Sequence, residues 1–142
     1  MRWESGYLLH IHIAPMASAN MVELNEAELV AGKGIVNDRY YKQNGSYSKI
    51  PDIRDVTLIE NEVLEALASN QPPLQEKPII LKPVEHRRNL TTSGVPLNYL
   101  VGKTFQIGEV ILKGGRLNFP CKYLADLLQK PLVLPLYNRS GL

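Results

Sequence analysis

Short apolar runs broken by turn residues dominate the chain. Residues 6–13, GYLLHIHI, form a β-rich run that stops at the breaker Ala14–Pro15 and predict a first strand. Residues 21–30, MVELNEAELV, alternate loosely and fit either a strand or a short helix. The following AGKGIVNDRYYKQNGSYSKIP is rich in Gly, Asn, Ser and Tyr and predicts a long loop, a feature usually functional or mobile in a compact domain. In RDVTLIE, residues 54–60, Val56 and Leu58 alternate with polar neighbours as a half-buried strand requires. Residues 59–70, IENEVLEALASN, set Val63, Leu64 and Leu67 in one stripe with Glu60, Glu62 and Glu65 around it, which predicts a helix.

QPPLQEKP ends that helix. IILKPVEHRRNLTT predicts a strand, a proline break and a second extended piece. GVPLNYLVGK predicts a short helix or turn, and TFQIGEVILKGG, residues 104–115, predicts strands around a glycine-marked bend. CKYLADLLQK predicts an amphipathic helix with Leu124, Leu127 and Leu128 inward, and PLVLPLY a final short strand. Many short strands with two helices predict a mainly β fold, a barrel or sandwich with peripheral helices.

Composition narrows this picture little. A chain of 142 residues fits one domain, and 44% hydrophobic with 21% charged residues is ordinary for a globular protein. The single cysteine excludes an internal disulfide and fits a reducing compartment. Glu4, His10 and His12 interrupt any signal-peptide core, and no apolar stretch approaches the roughly 20 residues of a membrane helix. A cytoplasmic location is the expectation, with no membrane partner.

Charge changes the picture more. Residues 1–76 carry six Lys/Arg against eleven Asp/Glu, whereas residues 77–122 carry eight against two. That central block is a local cationic zone suited to an anionic or phosphate-bearing ligand, or else a solvated basic face.

Three segments could carry chemistry. In GGRLNFPCKYLADLLQK, residues 114–130, Asn118 can cap a helix, Pro120 suits its first turn and Cys121 falls inside that turn. Unpaired N–H groups there and the adjacent Lys122 favour a thiolate, which attacks sulfur, carries a persulfide or binds a soft metal. The plainer alternative is a small buried hydrophobe. In EHRRNLTTSG, residues 85–94, Arg87, Arg88, Asn89 and Thr91 form a dense donor array, and arginine suits bidentate contact with phosphate. Strand alternation puts Arg87 and Asn89 on one face and Arg88 on the other; only a bulge aims all three at one ligand. In GKGIVNDRYY, residues 32–41, Gly32 and Gly34 allow close backbone approach, Asp38 can anchor the turn, and Arg39 with Tyr40 can face a ligand.

His10 and His12 share a strand face that His86 could join. Hydrogen-bonded strand histidines are the simpler reading than a zinc site. Glu60, Glu62 and Glu65 read as the solvated face of their helix. No Walker loop, GxGxxG, CxxC or HExxH is present.

Together, IHIAP, GKGIVNDRYY, RDVTLIENEVLEAL, RRNLTTSGVPLNYLVGKTFQIGEVIL and PCKYL resemble the MOSC domain, the family named for the C-terminal domain of molybdenum cofactor sulfurase. They stand in the family's order over nearly the whole chain, residues 1–142. The resemblance implies a single MOSC-like β-barrel with a few peripheral helices, and a role with the molybdopterin form of molybdenum cofactor. It implies that Cys121 carries sulfur or ligates molybdenum. It also makes Asp38, Arg39, Arg87, Arg88, Asn89 and Thr91 candidates to hold the cofactor, whose phosphate suits the cationic block.

Two departures follow. Asn37 stands where the family has glycine, and asparagine is the residue that best tolerates a left-handed backbone in its place. The family continues with another strand and a glycine–aspartate turn where this chain reads NRSGL, so the expectation is a barrel short of its final strands with an edge open to pairing.

Two roles fit this site. One is sulfur transfer or a reductase that takes electrons from a partner protein, with Cys121 as the reacting atom. The other is a non-catalytic module that binds or carries the cofactor, for which the arginines suffice. A third class, single-stranded nucleic-acid binding, wants interleaved aromatic platforms; the basic block offers only Tyr99, Phe105 and Phe119, widely spaced.

Overall fold

The computed structural model describes residues 5–46, 48, 55–70, 77–118, 122–133, 135–136 and 139–142. In chain order these form β1 (Tyr7–Ile13), β2 (Val22–Leu24), β3 (Leu29–Val30), β4 (Gly34–Ile35), β5 (Leu58–Glu60), α1 (Asn61–Ser69), β6 (Leu90–Ser93), a 3-10 turn at Leu97–Leu100, β7 (Thr104–Ile107), β8 (Val110–Lys113) and α2 (Lys122–Leu128). The fold is mainly β with two α-helices.

Four strands form the central sheet in the order β2-β1-β6-β5. β1 runs antiparallel to β2 and to β6, with a register irregularity between Leu8 and His10. β5 and β6 are parallel, so the chain must cross over between them, and α1 supplies part of that crossover. The helix ends on Asn70 in the left-handed conformation, whose N–H closes on the carbonyls of Ala66 and Leu67.

Alternation along β5 divides the interior in two. Ile59 points to a core of Val63, Leu64, Leu67, Ile79, Leu81, Leu124, Leu132 and Leu136, which gathers α1 and α2. Leu58 points the other way, to Ile35, Leu90, Val95, Leu97, Leu100 and Leu142, with Phe105 and Ile107 packed against them. The β3–β4 and β7–β8 hairpins cover that second face.

The described residues contain this sheet and two hairpins, and no closed barrel among them. At the β5 side of the sheet, Leu58 N–H donates to the Leu142 carbonyl at 2.7 Å, and Leu142 N–H donates to the Leu58 carbonyl at 2.9 Å. Among the described residues no helix is long and apolar enough to cross a membrane.

Several predicted elements change. The segment 21–30 resolves into β2 and β3, both strands, and the strand predicted over residues 54–60 is short, beginning at Leu58. The described part of PLVLPLY forms turns rather than a strand, with Leu136 N–H donating to the Leu132 carbonyl at 3.0 Å. Pro131 and Pro135 have no N–H for a ladder, while Leu132 and Leu136 still fill the first core. On α2, Leu124 is buried and Leu128 packs against the core, but Leu127 is 40% exposed.

Candidate functional site

The turn after β4 fixes the first arginine. Asn37 takes φ 71°, the left-handed value expected of the residue that replaces glycine. It aims the fully buried Asp38 inward, where its carboxylate accepts from Ala14 N–H at 3.1 Å and Tyr40 N–H at 3.2 Å. Asp38 thus anchors the loop to the end of β1 and also receives Arg39 Nη1 at 3.1 Å. The Arg39 guanidinium stacks 4.6 Å from the Tyr40 ring and reaches Met21 Sδ at 3.8 Å.

Arg39 Nη2 donates to the Arg87 carbonyl at 2.8 Å, which joins the loop to the segment before β6. Arg87 itself has φ 66°, an uncommon backbone state for a non-glycine residue and one that clusters at functional sites. Its Nη1 donates to the Ala19 carbonyl at 2.6 Å. Its Nη2 is buried with no hydrogen-bond partner, on a residue only 8% exposed. Burial first, and then the charge of Arg39, disfavour the charged form of Arg87. Two buried guanidinium groups therefore lie near one carboxylate, with which only Arg39 pairs, and Arg87 holds an unsatisfied donor. Such an arrangement is costly unless an anion completes it.

Hydroxyl groups border this pair. Ala19, which holds Arg87, follows Ser18, whose Oγ hydrogen-bonds Tyr123 Oη at 2.6 Å. Ser18 also takes a left-handed backbone, φ 62°. Burial alone raises the Tyr123 phenol, but hydrogen bonds with Ser18 and Ser46 and the charges of Arg87 and Arg39 outweigh it and lower its pKa. Tyr123 lies on α2, two positions after Cys121 in sequence.

The other predicted residues serve different tasks. Residues 87–89 precede β6, and Arg87 at positive φ does not follow the strand alternation expected of them. Arg88 Nε and Nη2 donate to Ser140 O and Oγ at 3.0 and 2.6 Å, and its Nη1 to the His86 carbonyl at 3.1 Å. It clamps the C-terminal segment. Asn89 is a structural hub whose Oδ1 accepts from Thr57 N–H at 3.1 Å and Thr57 Oγ1 at 3.2 Å, while its Nδ2 donates to the His12 carbonyl at 3.0 Å. Thr91, fully buried, bonds His86 through Oγ1 at 2.7 Å. Cys121 lies outside the described residues.

The three histidines do come together, in a row with ring centroids 5.9 Å apart for His10–His12 and 6.2 Å for His12–His86. His10 bonds Glu23 on the neighbouring strand. His12 Nδ1 is buried without a partner. Among the described residues, no group of three or more His, Cys, Asp or Glu is arranged to hold a metal ion. Phe105 packs against the second core and Tyr99 is exposed; Phe119 lies outside the described residues.

Sequence reasoning missed Ser18, and it credited Tyr123 with nothing beyond its place in PCKYL. The only signal for Ser18 was its position among small residues just past the Ala14–Pro15 break.

These features define a mainly β protein with two buried arginines, one of which keeps an unpartnered donor. No protein-family model matches the chain, and no curated protein matches it in sequence. Its fold is similar to that of the YuaD protein from Bacillus subtilis, a crystal structure that aligns with TM-score 0.66 and 16% identity over 96% of this chain and 87% of that one. At that identity the likeness is one of fold.

Proposed function

We propose that this protein is a MOSC-like domain that binds molybdenum cofactor, with Arg39 and Arg87 holding the cofactor's phosphate and Cys121 supplying a thiol for sulfur or metal chemistry. The observation that carries this reading is the buried Nη2 of Arg87, a charged donor with no partner beside a second guanidinium. A phosphate oxygen is a fitting acceptor for it, because charge-assisted bonds to arginine are among the strongest a phosphate can make. The ordered MOSC-like motifs supply the identity of the ligand. They also supply the barrel, for which the two hairpins over the Leu58–Leu90 face would be wall segments.

Within this reading the chain's residues divide the work. Asp38 sets Arg39 by holding the turn, Arg39 holds the backbone of Arg87, and the left-handed conformation of Arg87 directs its guanidinium inward. The chemistry the cofactor supplies when bound is the redox and sulfur-accepting chemistry of molybdenum. Asn89, Arg88 and Thr91 support the site from behind, so we assign them to its frame and not to ligand contact.

The test is molybdenum and pterin content after expression in a host that makes the cofactor, comparing wild type with Arg87→Gln and Cys121→Ala. Wild type should hold both. Arg87→Gln should lose molybdenum and pterin together by about tenfold or more, the worth of a charge-assisted bond. Cys121→Ala should keep the pterin; loss of molybdenum alone makes the thiol a ligand, and retention of both makes it a carrier. A wild-type protein holding neither sinks the proposal.

A further inference from the structure

We propose that strand β8 is a dimerisation edge, along which a second copy of this chain adds its own β8 antiparallel about a two-fold axis at Ile111. The inference is independent of the cofactor reading and of the arginine site.

The hairpin leaves that edge unpaired. β7 and β8 make a two-stranded sheet closed by a two-residue turn, with Ile107 opposite Val110 and Gly108 at φ 57°. In such a hairpin the pair flanking the turn exchanges backbone hydrogen bonds, and the exchange recurs at every second residue. Gly114 N–H donates to the Lys103 carbonyl at 2.9 Å, the same phase at the other end. Val110 and Leu112 therefore turn their N–H and C=O groups toward β7. Those of Ile111 and Lys113 point away, and among the described residues they meet no backbone partner outside the hairpin.

Side chains decide what fits there. The turn residue and strand read Glu109, Val110, Ile111, Leu112, Lys113. Alternation puts Ile111 and the exposed Lys113 on the outer face, and Ile111 is 70% exposed. Val110 and Leu112 face inward, where they line a cavity of about 550 Å³ with Leu29, Val56 and Phe105. A lysine on a free edge usually deters pairing. Antiparallel pairing centred on Ile111 removes that deterrent, because Lys113 falls opposite the second copy's Glu109, and Glu109 opposite its Lys113. Both side chains are exposed, and neither forms an ion pair with another described residue.

The same register sets Ile111 against its own copy as a hydrogen-bonded pair, the type its outward N–H and C=O require. Val110 then lies opposite Leu112 on the inner face, so the apolar lining of the cavity runs on into the second copy. Other edges fail this self-match. β2 is centred on Glu23, so a two-fold axis there opposes like charges, and Glu23 is already bonded to His10. β3 has only two residues, and the free edge of β7 carries Thr104 and Gln106, which set no register by charge. One short strand makes a small interface, so the dimer is weak and forms with rising concentration.

Sedimentation velocity over a concentration series tests this, with circular dichroism to confirm that each variant folds. Wild type should pass from monomer to dimer as concentration rises. Glu109→Lys and Lys113→Glu each create two like-charge contacts per dimer and should weaken association at least about tenfold. The double variant E109K/K113E restores opposite charges in the same register and should recover the wild-type behaviour. Ile111→Pro removes an N–H that β7 does not use, so it should keep the fold and lose the dimer. A wild type that stays monomeric overturns the proposal and leaves the edge to a different partner. A dimer that survives Ile111→Pro overturns it as well, because the copies then meet elsewhere. So does a dimer indifferent to the single charge reversals, or one that the double variant fails to restore, because the register is then wrong.

Discussion

Asn89 shows how a residue that looks like a ligand can be consumed by the fold. Its side chain satisfies the backbone N–H and hydroxyl of Thr57 and the carbonyl of His12, and its own N–H donates to Thr57 Oγ1 at 3.1 Å. All of these groups are buried with it, so truncation leaves several polar atoms without partners. Asn89→Ala should cost about 3 kcal/mol and lower the unfolding midpoint on the order of 10 °C, measured by thermal denaturation. Arg87→Gln should lower it less, because it gives up one bond, Nη1 to the Ala19 carbonyl, while relieving the burial of the unpartnered Nη2. Sequence could nominate both residues but not separate them. An asparagine and an arginine two positions apart look equally available until Thr57 and His12, distant in sequence, are placed beside one of them. The orphaned donor on Arg87 is likewise a fact of three dimensions.

Elements were legible where one periodicity governed them. The stripe of Val63, Leu64 and Leu67 placed α1 within two residues of its observed span, and the GKGIVNDRYY turn kept its left-handed Asn37. PLVLPLY failed because an unbroken apolar run carries no period; its prolines decide against a strand, and burial of Leu132 and Leu136 explains the hydrophobicity instead. Leu127 failed for a related reason, since a seven-residue helix has a narrow buried face that Leu124 and Leu128 already fill. The β3–β4 hairpin offers a test at this scale. Gly32 and Gly34 both have positive φ, 75° and 108°, but a Cβ on Gly32 meets nothing within 4 Å whereas one on Gly34 collides with the Asp55 carbonyl oxygen. Gly32→Ala should cost about 1 kcal/mol from backbone strain alone, and Gly34→Ala clearly more, about 3 kcal/mol, because Asp55 backbone must move. Urea denaturation of the two variants checks the order, and equal losses would show that the hairpin does not seat against Asp55.

For the whole molecule, the histidine row makes stability depend on pH with a definite sign. His86 is fully buried and its pKa is held well below the usual value, first by burial and then by Arg88, His12 and His10. Hydrogen bonding fixes its tautomer: Arg88 N–H donates to Nδ1 at 2.8 Å, so the ring proton sits on Nε2 and goes to Thr91 Oγ1 at 2.7 Å. A second proton has to enter on Nδ1, against that N–H. His12 is also lowered by burial, opposed by Glu23 and assisted by His10. Because both folded-state pKa values lie below the unfolded value of about 6.5, the unfolded chain binds more protons under that pH, and folding stability falls as pH drops through it. Carboxylates act lower. Glu23, lowered by its bond to His10, adds stability that disappears only as pH falls below the ordinary carboxylate range, and Glu60, raised by burial, works with the opposite sign near that range. Between pH 7 and 5.5 the histidines therefore dominate among these shifted groups. Unfolding free energies from urea titration should decline over that interval, and each fully excluded proton contributes up to about 1.4 kcal/mol per pH unit once below the unfolded pKa. His86→Gln, which can still accept from Arg88 and donate to Thr91, should remove about one proton from the slope whatever its effect on stability at pH 7. A slope unchanged in that variant means His86 does not stay neutral in the fold, and the tautomer drawn from its two hydrogen bonds is then wrong.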